Sequence, residues 1–404
     1  MEQVDNYKLI CHKCGKEYAL GNYSLCPECG GILTLEYTYE YLKEVLKEDR
    51  VHQSMWDYHQ LLPPVKEENR VSFQEGGTPL LKSREIGPEI GVENLYFKNE
   101  TCNPTGSFKD RAVSVCISMA KEYGCAGVVV SSSGNGGASV SAYGVKGNMN
   151  PVILIPEKTP LSKVAQAIAY GGRVIKVKGN FSQAYHAAID LAKRMNYMNV
   201  TTTFLSPYGI EGYKTIAFEI YEQLGKVPDF IFIPVGAGPA LYGIYKAYEE
   251  LKRAGKTDRL PKVIGVQAKG CDPIAKAWES GQKVQACKNP ETVASAISDP
   301  LVGYEQDGDL TIEAIHRTSG RALAIEDEET LQAGLCLART EGIFAEPSSA
   351  ITLAALKQMK NQGLIKEEDV CVCTLTGHGL KDSQAYAAGK TEVEIIAYGD
   401  EIRI

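Results

Sequence analysis

Val128-Val129-Val130-Ser131-Ser132-Ser133-Gly134-Asn135-Gly136-Gly137-Ala138-Ser139 runs from a β-branched segment through a polar glycine turn into small residues. The apolar run predicts a strand over 127–131, short enough to be buried on both faces, and a helix over 136–146. Backbone N–H groups at such a helix start can hold a carboxylate, and Ser132 and Ser133 add hydroxyl donors. The Asn135 amide can reach a phenolic oxygen on a flat ring. The plainer reading is a strand–helix turn that is merely rich in small residues.

Working outward, the same alternation repeats. Strands are predicted over 95–98, 151–155, 173–177, 230–235, 262–267 and 370–374. Helices are predicted over 110–123, 161–170, 182–193, 212–224, 240–253, 330–340 and 348–359. Apolar strands separated by helices read as an α/β chain with largely parallel sheets. The first forty residues break the pattern, and a short helix near 40–48 follows them.

That leader holds Cys11-His12-Lys13-Cys14-Gly15 and Cys26-Pro27-Glu28-Cys29-Gly30-Gly31. Two Cys-x-x-Cys pairs, each followed by glycine, suit two thiolate knuckles on tight turns. Four such sulfurs predict a structural zinc site, since they leave no position open for water. Free thiols and disulfide or redox chemistry are the alternatives. A module this small builds little core, so metal would supply much of its folding energy.

Three further stretches can carry chemistry. In Asn103-Pro104-Thr105-Gly106-Ser107-Phe108-Lys109-Asp110-Arg111 a turn precedes a lysine that opens a helix. Lys109 is either an exposed residue at a helix start or an imine-forming amine for an aldehyde cofactor. In Ile231-Phe232-Ile233-Pro234-Val235-Gly236-Ala237-Gly238-Pro239-Ala240-Leu241 a strand enters a small-residue loop whose amides suit a phosphate. It lacks the Gly-Lys-Ser/Thr of a nucleotide loop, and Pro239 donates no N–H. Near the C-terminus, Thr374-Leu375-Thr376-Gly377-His378-Gly379-Leu380-Lys381-Asp382 offers a hydroxyl, Thr376, where a pyridine nitrogen would meet an uncharged partner. His378 reads as an acid–base group or as a turn histidine bonded to backbone.

Charge and composition narrow the field. The 404 residues carry 43 basic and 50 acidic side chains, for a net charge of −7, and 44% are apolar. This excludes a largely disordered chain and does not favour a nucleic-acid or membrane-surface protein. The acidic start lacks the pattern of a signal peptide, and no run of about 20 apolar residues suggests a spanning helix. The expectation is a cytoplasmic protein whose twelve cysteines are thiols or metal ligands.

Together the stretches around Lys109, Asn135, Gly236 and Thr376 resemble the threonine synthase family, within the tryptophan-synthase-β-like (fold type II) pyridoxal-phosphate enzymes. The resemblance spans roughly residues 72–382 and includes Glu341-Gly342-Ile343-Phe344-Ala345-Glu346-Pro347-Ser348-Ser349-Ala350. It implies two open twisted, mostly parallel sheet domains plus a zinc-ribbon-like module. The expected boundaries are 1–40 for the module, 41–105 and 205–404 for the large cofactor domain, and 106–204 for the small one. It also implies that Lys109 binds pyridoxal 5'-phosphate and that Asn135 bonds the ring oxygen. Gly236, Ala237, Gly238, Pro239 and Ala240 would hold the cofactor phosphate, and Thr376 would face the ring nitrogen. Ser132, Ser133 and Gly136 would lie near the substrate carboxylate. Cys11, Cys14, Cys26 and Cys29 would hold zinc. The partners implied are a small amino-acid substrate and a second copy in a homodimer, with no nucleic acid and no membrane.

The reaction implied takes O-phospho-L-homoserine and water to L-threonine and phosphate. One departure bears on it. In Leu205-Ser206-Pro207-Tyr208-Gly209-Ile210-Glu211-Gly212, Gly209 stands where the resemblance expects an arginine that binds the substrate phosphate. A glycine makes no bidentate clamp, so Lys163, Lys214 or Arg111 would have to compensate. The competing reading is another lyase or β-replacement enzyme of the same cofactor class, such as a serine or threonine ammonia-lyase.

Overall fold

The computed structural model describes residues 6–47, 52–179 and 181–387. In the first part of the chain the strands are β1 (Tyr7–Cys11), β2 (Glu17–Tyr18), β3 (Leu33–Tyr37), β4 (Leu80–Lys82), β5 (Asn94–Asn99), β6 (Gly127–Ser131), β7 (Pro151–Pro156), β8 (Arg173–Val177) and β9 (Tyr197–Asn199). The second part adds β10 (Phe230–Pro234), β11 (Lys262–Ala268), β12 (Arg321–Ile325) and β13 (Val370–Leu375).

They form three sheets. A small antiparallel one has the order β2-β1-β3. A four-stranded parallel sheet runs β8-β7-β6-β9. A six-stranded sheet runs β12-β11-β10-β13-β5-β4, parallel except for β4 at its edge. The central strands β6, β10 and β13 are buried along their whole length, as apolar runs covered on both faces must be. The α/β reading therefore holds, with helices packed between and around parallel strands.

Six strands escaped the sequence reading: β1, β2 and β3 of the leader, which was read for its cysteines, and β4, β9 and β12. β4 and β9 have three residues each, too few to show a period. β12, Arg-Ala-Leu-Ala-Ile, fits a helix as well as a strand. Helices Pro273–Ser280 and Gln306–Arg317 were also not anticipated. The helix expected over 212–224 starts five residues earlier and spans Pro207–Leu224, with proline in its first turn. Gly209 and Gly212 hid that start, because glycine weakens a helical pattern. Gly212 has a packing reason: a Cβ there would lie 2.3 Å from the Arg111 carbonyl oxygen, so glycine lets this helix approach helix Lys109–Glu122. The helix expected over 330–340 divides into Asp327–Cys336 and a π turn, Leu337–Glu341. That expected near 40–48 spans Tyr39–Val45, and residue 48 lies outside the described residues.

The small sheet is tied to the body by specific bonds. Tyr208 Oη accepts from the Gly21 N–H (3.0 Å) and donates to the Gly21 carbonyl (2.8 Å). The Tyr37 hydroxyl donates to the Leu61 carbonyl, and Lys246 donates to the Leu35 carbonyl. Among the described residues no helix is long and apolar enough to cross a membrane.

Candidate active site

In open parallel sheets the carboxyl ends of the strands face a shared crevice. Here β6, β10 and β13 deliver their following turns to one cavity of about 420 Å³. Lys109, Ser132, Ser133, Asn135, Gly136, Gly236, Ala237, Gly238, Pro239, Ala240 and Thr376 all line it. Residues from four separate stretches thus converge on one space.

Lys109 reaches it because two loops are laced together. The Phe108 N–H donates to the Thr376 carbonyl (2.9 Å), and the His378 N–H donates to that of Gly106 (2.9 Å). Helix Lys109–Glu122 therefore begins opposite the end of β13. The Lys109 Nζ lies 4.7 Å from the Phe108 ring centroid and 5.6 Å from that of Tyr213. No hydrogen bond or ion pair holds it among the described residues. Burial pulls its pKa down to about 8 against the pull of Asp299 and Glu346, which face it. Such an amine is a nucleophile near neutral pH and can give or take a proton there.

The turn after β10 depends on a glycine. Gly238 has φ +109°, and a Cβ there would sit 1.8 Å from Thr311 Oγ1. The Thr311 hydroxyl donates to the Ala237 carbonyl (3.0 Å), holding the turn ahead of helix Pro239–Arg253. That helix start presents free amides to the cavity, as an anion requires. Gly238→Ala is expected to weaken pyridoxal-phosphate binding by at least about tenfold, since the clash must shift the turn or Thr311. Titration of cofactor-free protein measures it.

After β13, the neighbour of β10, the Thr376 and Ser349 hydroxyls lie 3.0 Å apart, and Ser349 Oγ accepts from the Gly377 N–H (2.7 Å). Ser131 Oγ is buried beside the cavity without a hydrogen-bond partner. A poised amine, a glycine-dependent anion cradle, an uncharged hydroxyl and an orphaned hydroxyl form a donor set that suits a phosphorylated pyridine aldehyde.

Among the cavity residues, Glu346, Asp299 and Lys381 escape the sequence reading, whereas Lys163 was offered there as a stand-in for the arginine. In the sequence Glu346 stands out only as part of the family-like stretch, just before the helix predicted over 348–359. Asp299 sits in an irregular segment with no periodic signal. Two anticipated substitutes for the missing arginine are elsewhere. Arg111 is buried between Glu100 and Glu219, and Lys214 between Glu211 and Glu250. Neither lines the cavity, whereas Lys163 does. Position 209 faces the packed interior: a Cβ there would meet Cys116 Sγ and Ser206 Oγ at 3.3 Å. His378 follows the plain reading, its Nδ1 accepting from the Leu380 N–H (3.1 Å).

The leader cysteines also converge. The sulfurs of Cys11, Cys14, Cys26 and Cys29 lie within 4.8 Å of one another, with Cys11 to Cys29 at 3.5 Å and Cys14 to Cys26 at 3.8 Å. A tetrahedral zinc with Zn–S bonds of about 2.3 Å requires sulfurs about 3.8 Å apart. The spacing fits.

Residues 71–377 match the family described as pyridoxal-phosphate dependent enzymes. A threonine synthase of Methanocaldococcus jannaschii is 41% identical over 382 residues, covering 93% of each chain. One from Methanosarcina acetivorans is 41% identical over 383 residues, covering 94% of this chain and 93% of its own. Among solved structures, a threonine deaminase of Solanum lycopersicum superposes with a TM-score of 0.68 at 22% identity, over 87% of this chain and 93% of that one. A serine racemase of Dictyostelium discoideum does so at 0.64 and 25%, over 85% and 98%. The structural likeness identifies the fold, and the sequence matches give the narrower grouping: the chain belongs to the pyridoxal-phosphate dependent enzymes and, within them, to the threonine synthases.

Proposed function

We propose that this chain converts O-phospho-L-homoserine and water to L-threonine and phosphate. The observation that carries the reading is the convergence of Lys109, Asn135, the Gly236–Ala240 turn and Thr376 on one cavity, in a chain 41% identical to threonine synthases.

Bound pyridoxal phosphate supplies an electron sink for charge formed at the substrate carbon beside the carboxylate. Lys109 would hold the cofactor aldehyde, and its Nζ would be the base that takes the proton from that substrate carbon. An amine brought down to about 8 can return the proton later in the same cycle. The 236–240 turn grips the cofactor phosphate through its amides. Thr376 would offer the ring nitrogen a hydroxyl partner, which would leave that nitrogen uncharged. Ser132, Ser133 and Gly136 border the place of the substrate carboxylate. Lys163 is the cavity-lining cation among the described residues, outside the cofactor lysine and Lys381, that can address the distal phosphate.

A panel of O-phosphohomoserine, serine and threonine, scored together for phosphate, ammonia and threonine, tests the reading. Phosphate and threonine from the first substrate support it. Ammonia from serine or threonine, with neither product from phosphohomoserine, replaces it with an ammonia-lyase.

The four cysteines are proposed as a structural zinc site. Metal analysis of protein purified without added metal is expected to give about one zinc per chain. Removing it with a chelator is expected to expose the leader to protease, as metal-dependent folding requires. A chain without zinc, with the leader still protected, contradicts this. The boundaries 1–40, 106–204 and 41–105 with 205–404, a homodimer and a cytoplasmic location complete the proposal. Limited proteolysis, light scattering and cell fractionation test them in turn.

A further inference from the structure

Glu346 stands in the cavity with no role assigned so far. It is 3% exposed and starts helix Pro347–Asn361, with its backbone N–H donating to the Gly377 carbonyl (3.0 Å). Its Oε1 accepts from Asn135 Nδ2 at 2.9 Å, across 211 residues of sequence. Gly377 makes room for this contact. A Cβ at 377 would lie 2.4 Å from Glu346 Oε1 and 3.0 Å from Asn135 Nδ2.

The chemistry of the pair is asymmetric. A carboxylate only accepts, so it can be met only by the amide nitrogen of Asn135. The amide plane is then fixed, with one N–H spent on Glu346 and the other left for the cavity. A protonated Glu346 can instead donate to the amide oxygen, and the constraint is lifted. We propose that Glu346 is a positioning residue for the cofactor ring, deciding through Asn135 which polar edge of that amide meets the ring's phenolic oxygen. This rests on the reading of Asn135 given above.

The surroundings allow the carboxyl to change state near neutral pH. Burial pushes its pKa up to about 7 from an ordinary 4.5, against the pull of Lys381, Asn135 and Lys109. Asp382 pushes in the same direction as burial, and the Tyr386 hydroxyl faces it from the following segment. The sign follows: above about 7 Glu346 is a carboxylate and the amide is locked, and below it the group is neutral and the amide is free to turn.

The test uses the visible absorbance of the cofactor-loaded protein across pH, with cofactor affinity measured on the stripped protein. The unsubstituted holoenzyme is expected to change its visible band between about pH 6 and 8, one unit either side of the Glu346 value. Glu346→Gln keeps the volume but cannot titrate, and is expected to lose that change and to bind cofactor about tenfold more weakly. Asn135→Ala is expected to show the same loss, and adding Glu346→Gln to it should cost no further affinity. A flat band in the unsubstituted holoenzyme overturns the proposal without any variant. So does an unchanged pH response in Glu346→Gln, or a double variant whose losses add. Absence of any visible band in the unsubstituted protein would instead overturn the cofactor reading itself.

Discussion

Lys109→Ala is expected to abolish the visible band of the cofactor-loaded protein and to lower turnover by at least about 10⁴-fold. Two losses combine. The amine is the group that holds the aldehyde, and it is also the base that moves the substrate proton, a role worth up to about 10⁴ by itself. Neighbouring amines do not substitute well. Lys163 is an exposed cavity residue, and Lys381 Nζ is held by the Gln166 side-chain oxygen at 2.7 Å. Added primary amines should restore part of the activity, because losing the lysine side chain leaves room for them in the cavity. Steady-state kinetics and the absorbance spectrum measure both effects. Wild-type turnover in Lys109→Ala would remove the residue from the chemistry.

The largest effect on stability is expected from Arg111→Ala, two residues further along the same helix. The guanidinium is fully buried and saturates its donors. Nε and Nη2 meet Glu100 at 2.7 and 2.8 Å, Nη1 and Nη2 meet Glu219 at 2.6 and 2.8 Å, Thr215 takes the remaining Nη1 donor, and Thr78 shares Nη2 at 3.1 Å. Removing it leaves two buried carboxylates with Lys98 as their nearby cation, bonded to Glu219 at 2.6 Å. Stripping one partner from a buried ion pair costs about 3–5 kcal/mol. The urea unfolding midpoint measures the loss. Arg111→Met, which removes both charge and hydrogen bonds but keeps bulk, should recover little, since the stranded carboxylates are the cause.

The same network sets a pH signature. Burial raises the Glu219 carboxyl, but Arg111 and Lys98 overcome it and hold it near 2, below its ordinary 4.5. The folded state therefore binds fewer protons than the unfolded one in that window. Its contribution to stability is present above about 4.5 and is lost as pH falls toward 2. In Arg111→Ala this acid sensitivity should shrink, because the main cause of the lowered value is gone.

What the sequence revealed and what it hid follow from range. Strands 127–131 and 173–177 were legible to the residue, the first as a β-branched apolar run and the second through Val174, Ile175 and Val177 set between the glycines at 171–172 and 179. The glycine turns were legible for the same local reason. A side chain at Gly238 would clash with Thr311 and one at Gly136 would sit tightly against Ser132, and such positions advertise themselves in composition. Glu346 was not legible as an active-site group. It looked like the acidic start of a helix, and its partner Asn135 reaches it only after two sheets have assembled. Arg111 and Lys214 were misjudged as available cations for an opposite reason. Cationic side chains in a helix read as solvated, and nothing nearby in sequence announces that Glu219 or Glu250 will bury them. Gly209, read as a vacancy in a phosphate clamp, turned out to face the helix interface with Cys116.

Borohydride reduction of the cofactor-loaded protein, followed by digestion and peptide mass spectrometry, tests the central claim most directly. The account predicts a single phosphopyridoxyl group, on the peptide containing Ser107-Phe108-Lys109. The same group on Lys163, Lys381 or any other lysine, with Lys109 unmodified, would contradict it.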